Sequence, residues 1–247
     1  MPYPLGLQLY SLRREFEKDA EIALRGITAL GYTAIETAGR YKWSTDQWIA
    51  LLAETKLTVH GAHVGLESLE KDLASEVAFQ KALGNHRLII PWLAESYRTK
   101  KGYAVIAQQL NELARTLKAE GMELYYHNHN FEFEKLPEGG SGFDILLMET
   151  DPALVRFEVD TYWVERGGLN SRDFITANAS RIGMIHAKEL RKRDNSDVPA
   201  GQGDVDFRAI LPLAKKHKWP IIVEFEGEGT PEAVASSARY LTPLLKV

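Results

Sequence analysis

Eight short apolar segments alternate with longer amphipathic segments along the whole chain, and this alternation limits the folds that the sequence can adopt. It predicts strands separated by helices, which is typical of a parallel sheet covered by helices. Eight such units in 247 residues match the size of a (β/α)8 barrel. The predicted strands are residues 5–10, 34–37, 58–63, 87–92, 123–129, 155–161, 183–188 and 221–225.

The segments between these strands predict the covering helices. Gly31, Gly84 and Gly121 each follow a helical segment and precede a strand, and glycine readily adopts the left-handed conformation that ends a helix. The predicted helices are residues 20–30, 45–54, 69–83, 103–120, 143–149, 172–178, 207–217 and 231–245.

An open, doubly wound sheet is the alternative arrangement of the same units. That fold commonly carries a Gly-x-Gly-x-x-Gly loop after its first strand, and the segment that starts at Gly6 has no such loop. No linker rich in proline, glycine and serine divides the chain. We therefore predict an α/β protein with a single domain over residues 1–247, folded as a (β/α)8 TIM barrel.

Composition narrows the classes of function. The net charge of −4 and the pI of about 6.0 give no basic surface for nucleic acid, so we expect no nucleic-acid partner. The chain has no cysteine, which excludes disulfides, thiolate metal sites and cysteine nucleophiles. No apolar run reaches the roughly 18 residues of a membrane span, and the first residues do not resemble a signal peptide. We expect a cytoplasmic protein without a membrane partner, and a homodimer is the assembly to test.

Four predicted strands end in residues that commonly bind metal ions. They are His127, Asp160, His186 and Glu224. Because active sites of such barrels lie where the strands end, these side chains are expected to meet around one divalent cation. Simpler alternatives are Asp160 as a helix cap, His186 as a core histidine and Glu224 as the partner of Lys188. Of His127 and His129, the alternative is that only one binds the metal and the other binds substrate.

Further polar and aromatic side chains lie at the same strand ends. Glu224, Glu132, His129 and Lys188 are candidates for proton transfer during catalysis. Hydroxyl groups and the apolar face of a sugar ring call for polar groups beside aromatic ones. The candidate substrate-binding residues are Gln8, Glu36, His63, Trp92, Asn128 and Trp163.

Several motifs resemble those of the sugar phosphate isomerase/epimerase superfamily, the xylose isomerase-like barrels that include endonuclease IV. The resemblance implies one divalent metal, Mn²⁺ in the first place, with Mg²⁺, Co²⁺ or Zn²⁺ as alternatives. It also implies ligands from strands five to eight, of which Asp160, His186 and Glu224 match the last three. The strand-five ligand is usually glutamate, and His127 occupies that position here. The motifs lie at residues 7–13, 126–133, 158–163, 186–188, 201–207 and 223–224.

The leading hypothesis is a metal-dependent isomerase or epimerase that acts on a keto-sugar or sugar phosphate through a metal-stabilised enediolate. Glu224 or Glu132 would remove the proton next to the carbonyl, and Glu132, His129 or Lys188 would return it. The alternative is a lyase or dehydratase acting on a keto-cyclitol or 3-keto-glycoside, since elimination shares this first step. An endonuclease IV-like phosphodiesterase and a non-catalytic sugar-binding protein are the remaining hypotheses.

Overall fold

A closed barrel of eight parallel strands forms the centre of the molecule in the computed structural model, which describes residues 3–246. The strands follow chain order around the barrel, and the last strand pairs with the first, Leu5 lying opposite Ile221. The predicted (β/α)8 barrel is therefore confirmed, and the open-sheet alternative is wrong. The barrel strands are β1 Leu5–Gln8, β2 Ala34–Thr37, β3 Thr58–His63, β4 Arg87–Ile90, β5 Glu123–His127, β6 Val155–Asp160, β7 Ile182–Ala187 and β10 Ile221–Val223.

Helices cover the outside of the barrel. Ser44 begins α2 with a capping box, in which its hydroxyl and the Gln47 side chain each bond the other residue's backbone N–H. Gly84 and Gly121 follow α3 and α4 with φ of +74° and +71°, as the sequence predicted. Within residues 3–246, no helix combines the length and apolar character needed to cross a bilayer. The helices are α1 Arg13–Gly26, α2 Thr45–Thr55, α3 Leu66–Ala82, α4 Lys100–Ala119, α5 Gly142–Glu149, α6 Thr161–Arg166, α7 Ser171–Ala177, α8 Phe207–His217 and α9 Thr230–Lys246.

Strands β1 and β5 end earlier than predicted, and a 3-10 turn follows each of them. Strand β1 was expected to reach Tyr10, but the Gln8 side chain accepts a hydrogen bond from the Tyr10 N–H and starts a 3-10 turn. As a result α1 begins at Arg13, well before the predicted start of that helix. Strand β5 was expected to reach His129, but it ends at His127, and a 3-10 turn follows over Phe131–Phe133.

Two elements were not predicted. Helix α6 starts directly after β6, where Asp160 caps it. A small antiparallel hairpin, β8 Glu189–Arg191 with β9 Ser196–Val198, extends from the end of β7. Its turn is closed by an ion pair of 2.8 Å between Arg191 and Asp194. The basic residues of this segment therefore lie on a surface hairpin.

An apolar layer fills the barrel interior below the site. Ile89, Tyr125, Met184 and Ile222 form a buried cluster separate from the core between strands and helices. Strand residues two apart share a face, so the positions above Tyr125, Met184 and Ile222 are two residues further along each strand. Those positions hold the predicted metal ligands of β5, β7 and β10: His127, His186 and Glu224.

Candidate active site

The four predicted metal ligands come together at the carboxyl ends of the strands. We name His127, Asp160, His186 and Glu224 the upper cation site. One potential ligand atom from each residue lies within 4.8 Å of all the others, and all four residues are buried. Two imidazoles and two carboxylates suit Mn²⁺, Zn²⁺ and similar divalent ions.

Asp160 serves two purposes with its two oxygens. Its Oδ1 accepts a hydrogen bond of 2.9 Å from the Trp163 N–H and so caps α6. Its Oδ2 is buried and has no hydrogen-bond partner within residues 3–246. Burial raises the pKa of this carboxyl to about 8, so the ionised form needs a nearby positive charge. The cap that the sequence offered as an alternative is present, yet it leaves one oxygen free for a cation.

The two ring nitrogens of His186 face different groups. Its Nδ1 lies 3.5 Å from Oε2 of Glu224 and 3.8 Å from Oδ2 of Asp160, too far for good hydrogen bonds. Its Nε2 lies 2.8 Å from Oε1 of Glu36, deeper in the barrel. His186 is therefore not a core histidine with both nitrogens satisfied, because Nδ1 remains available to a cation.

Lys188 supplies positive charge beside the upper cation site. Its Nζ lies 3.3 Å from Oε2 of Glu224 and also pairs with Glu226. Burial disfavours the charged amine, but Glu224 and Asp160 outweigh that effect and raise its pKa above the usual value. The predicted alternative pair of Lys188 with Glu224 is thus present. Lys188 stays protonated and is suited to hold negative groups rather than to accept a proton.

A cavity of about 430 Å³ opens above these ligands, a size typical of small-molecule sites. Glu224 and Glu226 line it after β10. The imidazoles of His63, His127 and His129 line the part that follows β3 and β5, with Trp92 after β4. Strand β4 lies across the barrel from β10 in the order of the strands. One wall therefore carries carboxylates and the opposite wall carries imidazoles and an indole.

His129 is held in the cavity wall by Glu132 and two aromatic rings. Its backbone N–H donates a 2.7 Å hydrogen bond to Glu132, which also accepts one of 2.5 Å from the Tyr126 hydroxyl. Its ring stacks on Phe131 and lies 5.0 Å from the ring of Trp163. Burial lowers the pKa of His129 to about 3, so its imidazole is neutral at neutral pH.

Glu132 is completely buried and is not among the residues that line the cavity. Burial raises its pKa to about 7. Both of its oxygens bond groups that shape the turn after β5. Glu132 therefore holds the His129 backbone in place, and its role in proton transfer stays a prediction.

Comparison with known protein families identifies the group of barrels to which this chain belongs. A family model for the xylose isomerase-like TIM barrel matches residues 24–244. The chain belongs to the xylose isomerase-like TIM barrel family. The resemblance inferred from the sequence motifs is confirmed.

Relatives within this family carry two kinds of name. An inosose dehydratase from Clostridium beijerinckii is 25% identical over 161 residues, covering 58% of this chain and 53% of the relative. The chain thus spans about half the length of the curated relatives it matches. A sugar phosphate isomerase/epimerase structure from Parabacteroides distasonis is 26% identical with a TM-score of 0.83, covering 98% of this chain and 99% of the other. A D-allulose 3-epimerase from Methylomonas sp. shares the fold, with a TM-score of 0.74, 14% identity and coverage of 99% and 98%.

The predicted substrate-binding residues fall into two groups. His63 and Trp92 line the cavity, and the ring of Trp163 lies 5.0 Å from the ring of His129, which lines it. The other three are buried and bond neighbouring strands. Gln8 donates a 2.6 Å hydrogen bond to Glu36, and the Asn128 amide bonds the backbone of residue 160. These three residues are not among those that line the cavity.

Sequence reasoning missed Glu158, Glu226 and Tyr10 as site residues. Glu158 and Glu226 each lie two residues from a predicted ligand, Asp160 and Glu224, but the sequence analysis gave them no role. The period of two was the signal that could have found both. Tyr10 lines the cavity because of the early turn after β1, which the apolar pattern did not reveal.

Proposed function

We propose that this protein uses one divalent cation, Mn²⁺ in the first place, to remove a proton next to the carbonyl of a keto-sugar or keto-cyclitol. The observation that carries this proposal is the upper cation site at the floor of a small-molecule cavity. The unpartnered oxygen of Asp160 and the unpartnered Nδ1 of His186 support it, since both are buried. Buried polar atoms of this kind are costly unless a ligand satisfies them.

A divalent cation held by these residues supplies Lewis acidity, which favours loss of the proton beside a carbonyl. The protein's own groups then handle the proton. Glu224 reaches the cavity and is ionised, because Lys188 and His186 hold its pKa well below the usual value although burial opposes this. Glu224 is therefore the group that accepts the proton. Trp92 and Tyr10 offer aromatic surface for the apolar face of the ring.

The two unlike walls of the cavity favour elimination of water over epimerisation. An epimerase of the two-carboxylate type needs one carboxylate on each face of the substrate, whereas both cavity carboxylates here follow β10. In the elimination, Glu224 accepts the proton and the electron pair of the broken C–H bond forms the carbon–carbon double bond. Hydroxide leaves the adjacent carbon and takes that proton from Glu224, while the neutral His129 imidazole donates a hydrogen bond to the departing oxygen. One proton and one hydroxide thus leave as water.

Isomerisation or epimerisation of a keto-sugar is the second candidate. It is supported by the likeness to the sugar phosphate isomerase/epimerase from Parabacteroides distasonis. The same proton removal would be followed by return of the proton to a carbon in place of loss of water. Dehydration is preferred because His129 opposes the carboxylate wall and the similar curated relatives are named inosose dehydratase.

The test is proton exchange in D₂O with Mn²⁺ and a panel of keto-cyclitols, keto-sugars and their phosphates. Proton NMR follows loss of the signal next to the carbonyl, and ultraviolet absorption detects the conjugated enone that dehydration produces. Deuterium with enone supports the lyase, and deuterium without enone supports the isomerase. Absence of deuterium in every substrate with Mn²⁺ bound would contradict proton removal altogether.

Two variants locate the reacting groups. Glu224→Gln is expected to lower the exchange rate about 10²–10⁴-fold, the usual contribution of one acid/base group. His129→Asn is expected to leave exchange in place and to lower enone formation. Glu228→Gln is the matched control, because Glu228 is exposed and only four residues away along the chain.

A further inference from the structure

A second group of metal-binding side chains lies directly below the upper cation site. We name Glu36, His63, Glu158 and His186 the lower cluster. The Nε2 of His63 lies 2.9 Å from Oε1 of Glu36 and 2.8 Å from Oε2 of Glu158. The Nε2 of His186 lies 2.8 Å and 3.1 Å from the same two oxygens. Two nitrogens and two oxygens thus alternate around one small space.

Hydrogen bonds alone do not account for these contacts. Each Nε2 carries at most one hydrogen, which points to one oxygen, so two of the four contacts lack a hydrogen of their own. The remaining oxygens, Oε2 of Glu36 and Oε1 of Glu158, are buried and have no hydrogen-bond partner in the part of the chain that the structure describes. Fully buried polar atoms are normally satisfied, so this arrangement calls for another partner.

The four nitrogen–oxygen distances fit a cation site with four ligands. Bonds of about 2.0–2.1 Å to four tetrahedral ligands place the ligand atoms about 3.3 Å apart. The four contacts of the lower cluster are a few tenths of an ångström shorter, so a small outward movement of the side chains would accommodate an ion. His63, Glu158 and His186 also belong, with His127, to a group whose ligand atoms all lie within 4.8 Å of one another.

We propose that the lower cluster is a second, closed cation site for Zn²⁺, beneath the upper cation site. The two sites share His186, whose Nδ1 faces Asp160 and Glu224 while its Nε2 faces the lower cluster. With both sites filled, its ring would have lost both N–H protons and would bridge the two sites as an imidazolate. The upper site opens to the cavity and suits a reaction, whereas a site closed by four protein ligands suits structural support.

The surroundings also suit a bound ion. The Gln8 amide donates to Oε1 of Glu36, and Nδ1 of His127 lies 3.1 Å from Oε2 of Glu158, so neighbours orient both carboxylates. Gly61 leaves room for Oε2 of Glu36, since a Cβ there would approach it to 2.5 Å. His63 lines the cavity and provides the path by which an ion can enter.

The test is the number and position of bound zinc ions in the full chain. Protein stripped of metal with a chelator is titrated with Zn²⁺ alone by calorimetry, and zinc per chain is then measured by elemental analysis. Two ions per chain are expected in the wild type. One ion is expected in Glu158→Gln, which disables the lower cluster, and one in Asp160→Asn, which disables the upper cation site.

Anomalous diffraction at the zinc edge places each ion without relying on a variant. A wild-type map with a peak between His63 and Glu158 supports the proposal even if Glu158→Gln fails to fold. His63→Asn is a second variant, at the less buried edge of the cluster. A map with a single peak beside Asp160 and Glu224, together with unchanged stoichiometry in His63→Asn, would overturn it. That outcome would leave the proposed proton removal intact, because it depends on the upper cation site.

Discussion

The Nδ1 atom of His186 lies 3.8 Å from Oδ2 of Asp160, and both atoms are buried without a hydrogen-bond partner inside residues 3–246. The two residues come from neighbouring strands and lie opposite each other in the register of β6 and β7. Two unsatisfied ligand atoms facing one another from adjacent strands define the position in which the upper cation site would bind its ion.

Asp160→Asn should abolish most of the cation affinity of the upper site. Asparagine keeps an oxygen that can accept from the Trp163 N–H, so the cap of α6 is retained while the charge is lost. Loss of a direct ligand is expected to weaken Mn²⁺ binding by more than about 100-fold, beyond the effect of losing an orienting neighbour. Electron paramagnetic resonance of free Mn²⁺ gives the affinity. Asp46→Asn, at an exposed carboxylate, should bind Mn²⁺ as the wild type does.

Lys188→Met should destabilise the metal-free protein strongly. Lys188 is almost completely buried and lies against Glu224, Glu226 and Asp160. Removing one partner of a buried ion pair commonly costs about 3–5 kcal/mol, because the other charge is left without compensation. Saturating Mn²⁺ should recover part of that loss, since it neutralises the same carboxylates.

Urea denaturation with and without Mn²⁺ measures the effect of Lys188→Met. Lys81→Met is the control, since its ion pair with Glu120 is exposed and should contribute less than about 1 kcal/mol. An equal loss of stability in both variants would contradict the assignment of Lys188 as a buried counter-charge.

Glu132→Gln should change how stability depends on pH. Burial raises the Glu132 pKa from 4.5 to about 7, so the folded protein holds this proton more tightly than the unfolded chain does. The resulting stabilisation is complete below pH 4.5 and is lost as the pH rises through 7. Glutamine is neutral at every pH and lacks this dependence.

The difference in unfolding free energy between Glu132→Gln and the wild type should therefore shift in favour of the variant by roughly 2–3 kcal/mol between pH 4.5 and pH 8. Urea titrations across that range measure it. A pH-independent difference would show that folding leaves the Glu132 pKa unchanged and would contradict this prediction. A slower reaction without loss of cation affinity would agree with its role in positioning His129.

Gly61→Ala should disturb the barrel interior. The added Cβ would lie 2.5 Å from Oε2 of Glu36 and 2.8 Å from Cδ1 of Ile89, and overpacking of this kind costs about 1–3 kcal/mol. Gly26→Ala is the control, because nothing lies within 4 Å of its Cβ and it ends a helix. Thermal unfolding should show a lower midpoint for Gly61→Ala and an equal or higher one for Gly26→Ala.

The alternation of apolar and amphipathic segments was sufficient to predict the barrel, because each strand buries its apolar residues in the same way. The meeting of His127, Asp160, His186 and Glu224 was also predictable, since the ends of parallel strands meet at one rim. The geometry of the side chains could not be predicted from the sequence. Asp160 gives only one of its oxygens to α6. Glu36 and His186 are in contact although they lie 150 positions apart in sequence. Both features depend on distances that exist only after the barrel closes.

The amide of Asn128 accepts from the backbone N–H of Asp160 and donates to its carbonyl, which fastens β5 to β6 at the height of the ligands. One buried amide just beyond the end of β5 thus ties together the two strands that carry His127 and Asp160. A side chain at position 128 that can only accept, or only donate, would make one of these two bonds and leave the other backbone group of Asp160 without this tether.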